Sequence, residues 1–156
     1  MGKFCAAVVL GLAAQGAWAG CAPRSVELRS AAGAVMRFSV ELADDASERA
    51  QGLMNRQAMP SSAGMLFVYD KPQRAVFWMK NTLIPLDMIF ADAAGVVTHV
   101  HSQARPLDQT SIDGGTGVTY VLEINGGLAA RLGLAAGSVM RSDVIDGPQA
   151  IWPCAN

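Results

Sequence analysis

The segment from Phe77 to Phe90 holds the residue types best suited to a binding site. It reads FWMKNTLIPLDMIF and places Trp78, Lys80, Asn81 and Asp87 among large apolar side chains. An indole beside a cation can hold a planar or anionic ligand through ring stacking and charge. We therefore predict that a cleft around residues 77–90 binds a small ligand or an envelope partner, without catalysis.

Each polar residue of this segment also has a structural interpretation. On a strand, Phe77 and Met79 share one face and enter the core, while Trp78 and Lys80 share the other face. Lys80 can then simply stretch its stem over Trp78. Asn81 stands where the strand gives way to a turn, and there an Asn often bonds its own backbone.

The predicted ligand-binding set adds one residue from outside the segment. Its members are Arg56, Trp78, Lys80, Asn81 and Asp87. The polar, glycine-rich stretch 107–117 is predicted to be a surface loop at the rim of the cleft.

Two carboxyl groups in apolar strands are weaker candidates for acid–base chemistry. Asp87 lies between Leu86 and Met88, and Glu123 interrupts an apolar strand and faces away from its neighbour Leu122. A buried carboxylate needs a partner, so a structural ion pair is the simpler interpretation of Asp87. If both carboxyls faced one cavity, they could serve an envelope hydrolase as acid and base. The chain lacks a G-x-S-x-G elbow and a phosphate loop, and we favour a non-enzymatic role.

His99 and His101 are weak candidates for a metal site. They are two residues apart on a predicted strand, so both imidazoles point to the same face. A metal would need a third ligand. The central block is rich in Met, whose thioethers suit Cu(I), although Met more often fills core gaps. We predict a solvated His pair and no cofactor.

Hydrophobic patterning predicts the elements that position these residues. Met36, Phe38, Val40 and Leu42 alternate with polar residues, as in a strand with one wet face. Further strands are predicted near 26–29, 64–69, 75–80, 86–92, 96–103, 119–124 and 139, with 64–69 and 75–80 forming a hairpin. A capping box of Asp45 and Glu48 begins a short helix, and a second helix spans 127–132 with Asn125 as its cap. The pattern predicts a single α+β domain, mostly β, with about seven short strands arranged as a barrel or sandwich and two short helices.

The N-terminal residues are predicted to be a signal peptide. Lys3 precedes a short apolar run, and Ala17-Trp18-Ala19 has the form of a cleavage site. Residues 1–19 would then be removed, and residues 20–156 would form an exported, periplasmic domain without a transmembrane segment. That part carries 11 Lys and Arg against 13 Asp and Glu and has no basic run. Nucleic acid is therefore not expected as a partner, and we expect a monomer.

Two cysteines remain after such cleavage, Cys21 and Cys154. In an oxidising compartment this pair suggests a disulfide that joins the two ends of the domain. The stretch before Cys21, Trp18-Ala19-Gly20, also resembles a lipoprotein cleavage box, although Trp18 stands where Leu is usual. Cys21 would then carry a lipid anchor and Cys154 would be unpaired.

Several motifs resemble the bacterial and archaeal domain-of-unknown-function family 192, also called uncharacterised protein family 0127. The matching motifs are GLMNR (52–56), GMLF (64–67), FWMKNT (77–82), IPLDMIF (84–90), VLEINGG (121–127) and the turn at 133–137. The resemblance implies a compact, largely β fold in an exported or membrane-anchored protein. It implies no particular reaction.

Overall fold

The backbone of the protein is organised around one curled sheet of seven strands. The computed structural model describes residues 20–145 and 147–154, so the predicted signal peptide lies outside the described residues. Nine strands are present in that part of the chain: β1 (Ser25–Arg29), β2 (Val35–Ala43), β3 (Ala63–Gln73), β4 (Val76–Phe77), β5 (Leu86–Ala91), β6 (Val97–Ala104), β7 (Ile112–Asp113), β8 (Val118–Asn125) and β9 (Val139–Arg141). The same part of the chain contains two short helices, α1 (Ala46–Gln51) and α2 (Leu128–Arg131), and one 3-10 turn (Asp143–Ile145). The predicted mostly-β α+β class is confirmed.

The order of the strands in the large sheet is β6-β5-β8-β3-β2-β1-β9. Among the described strands, only β2 and β3 pair in parallel, and the connection between them contains α1. The two edge strands approach each other at one end, where Val96 bridges to Val139 and the Val97 N–H donates to the Ser138 carbonyl. The sheet is therefore a half-barrel.

Helix α1 begins as the sequence predicts. The Asp45 side chain accepts a hydrogen bond from the Glu48 N–H, and the Glu48 carboxylate accepts one from the Asp44 N–H. These bonds satisfy backbone donors that a helix start leaves without partners. The helix ends at Gly52, whose φ of 48° is unusual for other residues. The Arg49 side chain lies in the last turn of α1.

Two hydrophobic cores lie on opposite faces of the sheet. The first receives side chains from all seven strands, including Leu66, Ile89 and Leu122. The second lies over β2, β3, β5, β8 and the end of β6, and in the central strands Phe67 and Phe90 alternate with those residues. Strands β3, β5 and β8 are thus buried on both sides, which accounts for their nearly continuous apolar sequences.

The segment 74–85 covers the second core, and its pairing differs from the prediction. We predicted a hairpin between strands 64–69 and 75–80, but β4 instead pairs with β7, within the predicted loop 107–117. Met79 is fully buried and its N–H donates to the Asp108 carbonyl. The hairpin prediction was wrong because Ala75 and Met79 turn back over the sheet to cover its apolar face instead of extending it.

Helix α2 is capped from a distant strand. We predicted Asn125 as its cap, but the Asn125 amide donates to the carbonyls of Met59 and Pro60. The N-terminal N–H groups of α2 are instead bound by Asp87 of β5, which accepts from Gly127 and Ala129. The prediction failed because a buried carboxylate replaces the local cap.

The two ends of the described chain are joined. Cys21 and Cys154 form a disulfide, with their Cα atoms 5.3 Å apart. Beside it the Trp152 ring packs against the guanidinium groups of Arg29 and Arg141, at 4.5 and 4.3 Å from the ring centre. The described residues contain no helix that is long and apolar enough to cross a membrane.

Candidate functional site

A pocket of about 320 Å³ opens over the second core, between α1 and the segment around β4. Its lining combines aromatic rings, one arginine and one carboxyl group. The lining residues are Arg49, Ala50, Gln51, Gly52, Leu53, Met54, Phe67, Tyr69, Val76, Phe77, Trp78, Thr82 and Glu123. This volume is at the lower end of the range for small-molecule sites, so it suits a compact ligand.

Glu123 supplies the buried carboxyl group of this pocket. Only 4% of the residue is exposed, and its strand neighbours across the sheet are Met65 and Met88. Within residues 20–145 and 147–154, no hydrogen bond or ion pair reaches its carboxyl group. Burial raises the pKa of Glu123 to about 8. The carboxyl is therefore mostly protonated at neutral pH, and its polar atoms are available to a molecule in the pocket.

Four aromatic residues form much of the remaining wall. The Phe67 and Phe77 rings meet edge to face, with their centres 5.1 Å apart, and Phe77 meets Phe90 in the same way at 5.7 Å. Trp78 is 49% exposed and belongs to the more open part of the pocket. Tyr69 completes the set from β3. These rings provide apolar area and negative π faces around the carboxyl.

Arg49 is the cation of the pocket wall, but it does not neutralise Glu123. Its Nη1 donates to the carbonyls of Asp44 and Val68, and its guanidinium lies 5.3 Å from the centre of the Tyr69 ring. Burial and the Glu123 charge raise the pKa of Tyr69, while Arg49 lowers it. Glu123 itself therefore has no counter-ion in the wall.

Two asparagines with left-handed backbones shape the loops beside the pocket. Asn55 and Asn81 have φ angles of 62° and 55°, a region that Asn tolerates better than most residues. The Asn55 N–H donates to the Asn81 carbonyl at 2.8 Å, which ties the loop after α1 to the loop after β4. Asn81 thus shapes a turn, as in its structural interpretation.

The residues of the predicted cleft are distributed over several places. Trp78 lines the pocket, and the Lys80 ammonium lies 5.1 Å from the centre of its ring. Arg56 forms a bidentate ion pair with Glu41, which lowers the pKa of Glu41, and it does not line the pocket. The stretch 107–117 contributes no lining residue to this pocket.

Asp87 is held in a structural role. It is fully buried, and its carboxylate accepts hydrogen bonds from the backbone N–H groups of Gln103, Gly127 and Ala129 at 2.7 to 2.9 Å. In the ladder between β5 and β8 it pairs with Ile124, whereas Glu123 pairs with Met88. Asp87 and Glu123 therefore point to opposite faces of the sheet and do not share a cavity.

His99 and His101 lie on β6 and open to different pockets. The His99 ring stacks on Phe90 at 5.7 Å and lines a shallow pocket of about 330 Å³ with Asp113. His101 lines a smaller pocket of about 140 Å³ with Arg105 and other residues. No three His, Cys, Asp or Glu side chains of the described residues are grouped so that they could hold a metal ion.

Several residues that line the pocket were not predicted as site residues, among them Arg49, Phe67, Tyr69 and Phe77. A signal for most of the site was nevertheless present in the motifs quoted above. Four of them supply lining residues: GLMNR supplies Gly52 to Met54, GMLF supplies Phe67, FWMKNT supplies Phe77, Trp78 and Thr82, and VLEINGG supplies Glu123. The motifs are far apart in sequence, so their convergence on one pocket required the strand order.

Comparison with known proteins assigns a family and a fold. A family model for DUF192, described as Uncharacterized ACR, matches residues 27–142. A crystal structure from Sinorhizobium meliloti, provisionally named a transcription regulator, matches with a TM-score of 0.74 and 40% identity over 78% of this chain and 95% of that one. A protein of unknown function from Novosphingobium aromaticivorans matches with a TM-score of 0.72 and 40% identity over 75% and 83% of the two chains. No curated protein matches.

Proposed function

Because this chain belongs to the DUF192 family, whose description names no reaction, we propose a function from the pocket itself: an exported domain that binds a small, largely apolar ligand beside Glu123. The binding is non-catalytic. The rings of Phe67, Phe77 and Trp78 enclose the apolar part of the ligand, and the Glu123 carboxyl bonds its polar group.

The observation that carries the proposal is the Glu123 carboxyl, which is buried and has no partner among the described residues. Burial of a polar group without a hydrogen bond costs a few kcal/mol, and an apolar side chain at this position would avoid that cost. Asp87 shows how the same fold satisfies a carboxylate that serves only structure, since three N–H groups surround it. Glu123 instead keeps its capacity for hydrogen bonding toward an open pocket.

In this proposal Trp78 contacts the ligand, as predicted from the sequence. Lys80 does not contact the ligand directly and acts through the Trp78 ring. Trp78 presents its indole to the pocket while Lys80 lies over the same ring. A ligand that stacks on Trp78 is therefore near a cation that can be displaced toward solvent.

Spectra of the mature protein labelled with ¹⁵N test the proposal. Three single-ring probes are titrated separately: 2-phenylethylamine, 2-phenylethanol and phenylacetate. At least one is expected to shift the Trp78 indole N–H and the amides of residues 52–54, because these line the pocket. The Trp152 indole, beside the disulfide, serves as the internal control and stays unchanged. The Trp78→Ala variant should weaken that response, and shifts confined to other surfaces would contradict the proposal.

One observation favours a second candidate function, hydrolysis of an envelope substrate. A carboxyl that is protonated near neutral pH inside a pocket has the property of a general acid. Of the two carboxyls predicted for this role, only Glu123 lines the pocket. A panel of chromogenic esters, amides and glycosides would reveal turnover, which Glu123→Gln should abolish. Turnover that persists in this variant would exclude Glu123 as the acid.

Export belongs to the same proposal and is supported by the N-terminal pattern and the disulfide. Mass spectrometry of the protein from a cell-envelope fraction should give a chain that starts at Gly20 and resists thiol alkylation unless it is reduced. A lipid-modified N-terminus at Cys21 would instead support the alternative anchor.

A further inference from the structure

The pocket combines an aromatic wall with a carboxyl that has no counter-ion among the residues that the structure describes. Glu123 lies among Phe67, Tyr69, Phe77 and Trp78, all of which line the same 320 Å³ space. Aromatic faces attract cations through the ring quadrupole, and this attraction increases when the cation leaves water. A carboxylate without a partner is the complementary anion for such a cation.

We propose that the ligand of this pocket carries a protonated primary amine, which forms an ion pair with Glu123 inside the aromatic wall. This inference rests on the proposed ligand-binding function and specifies the chemistry of the ligand. The amine supplies the charge partner that the described residues do not, and its apolar body occupies the space lined by Phe77 and Trp78.

None of the other charged and titratable groups that the structure describes around the pocket forms an ion pair with Glu123. Arg49 from α1 is bound to the Asp44 and Val68 carbonyls and forms no ion pair with Glu123. Tyr69 from β3 has a raised pKa, which keeps it neutral near pH 7. Lys80 from the loop after β4 lies over the Trp78 ring. The strands beside Glu123 place Met65 and Met88 opposite it, and neither titrates.

An amine at this position changes the protonation of Glu123. The ammonium favours the ionised carboxylate, so binding moves the pKa of Glu123 downward from about 8. A carboxyl with that pKa is roughly 0.9 protonated at pH 7, so binding releases up to about 0.9 proton per ligand. A ligand that only accepts a hydrogen bond from the neutral carboxyl releases none.

Isothermal titration of the mature protein at pH 7 tests this in two buffers that differ in ionisation enthalpy. We expect 2-phenylethylamine to bind at least tenfold more tightly than 2-phenylethanol and to release most of one proton. Phenylacetate should also bind more weakly than the amine, because its carboxylate cannot form an ion pair with Glu123. In Glu123→Gln the affinity for the amine should fall at least tenfold and the proton release should disappear. The matched variant Glu41→Gln, in an exposed ion pair, should retain both.

Equal affinity for the alcohol, or amine binding without proton release from the unaltered protein, would overturn the inference. In that case, pocket shifts with the alcohol or the acid would leave the proposed ligand-binding function intact. If none of the three probes perturbs the pocket, both proposals fail.

Discussion

Replacing Glu123 with Gln should change how the stability of the protein depends on pH. Gln has nearly the shape of a protonated Glu but cannot ionise, so the substitution isolates the effect of the buried charge. In the folded protein the pKa of Glu123 is raised by burial to about 8, compared with 4.5 for an unperturbed Glu. The folded state therefore binds this proton more tightly than the unfolded state does.

The sign of the effect follows from proton linkage. The stability contributed by a group with a raised folded-state pKa is fully present below 4.5 and is lost as the pH rises toward about 8. At 1.36 kcal/mol per pKa unit, the full loss is on the order of 5 kcal/mol. Between pH 5.5 and 7.5, where both states can be studied easily, the expected loss is about 2.5 kcal/mol.

Urea denaturation at several pH values measures this quantity. The free energy of unfolding of the unaltered protein should decrease by about 2.5 kcal/mol relative to Glu123→Gln across that interval. In thermal unfolding, the same change corresponds to roughly 5–10 °C in Tm. Taking the difference between two proteins cancels the titration of all other groups that the substitution does not affect.

Glu41→Gln is the matched control. Glu41 is an exposed partner of Arg56, whose hydrogen bond lowers the pKa of Glu41, so its effect on stability appears below pH 4.5. That variant should follow the unaltered protein between pH 5.5 and 7.5. If the difference between Glu123→Gln and the unaltered protein is also constant over this interval, the carboxyl is not protonated in the fold and the reasoning about the pocket is refuted.

Three further substitutions test the contacts that hold the site in place. Asp87→Asn should lower the free energy of unfolding by about 2–4 kcal/mol, because an amide cannot accept the hydrogen bonds that both carboxylate oxygens receive; chemical denaturation measures it. Gly114→Ala should cost about 1–3 kcal/mol, since an added Cβ would lie 2.2 Å from the Phe90 ring. Cys154→Ser should lower the free energy of unfolding by up to about 5 kcal/mol, as expected for a cross-link that spans 133 residues.

Exposed positions provide the controls for these substitutions. Asp70→Asn and Gly147→Ala alter solvent-exposed residues, and an added Cβ at Gly147 meets no atom within 4 Å. Both should change stability by less than about 0.5 kcal/mol. Reduction of the unaltered protein should reproduce the effect of Cys154→Ser, and an equal stability of the oxidised and reduced forms would contradict a role for the disulfide.

Local signals predicted several elements well. The alternation from Met36 to Leu42 corresponds to β2, and the capping box of Asp45 and Glu48 begins α1 where expected. Alternation also placed Met79 in the core and Trp78 at the surface. These predictions succeeded because strand periodicity and helix capping depend on residues close in sequence.

Contacts between distant residues could not be predicted in this way. The cap of α2 comes from Asp87, forty residues before Gly127, and no local pattern indicates it. The face of the sheet on which the Asp87 and Glu123 side chains lie depends on the register between β5 and β8. A shift of one residue would move a strand's side chains to the opposite face. The pocket could not be predicted for the same reason, since its walls come from α1, β3, the segment around β4, and β8.

The link between Cys21 and Cys154 turns the described chain into a covalent ring. A protease that cuts one surface loop would open this ring without releasing a fragment. The nicked protein would keep its mass under non-reducing electrophoresis and separate into two pieces only after reduction. Strands β1 and β9, which lie next to the junction and pair with each other, would also stay held together in the cut molecule. After a single cleavage in a surface loop, the two pieces that carry the walls of the pocket therefore remain covalently joined.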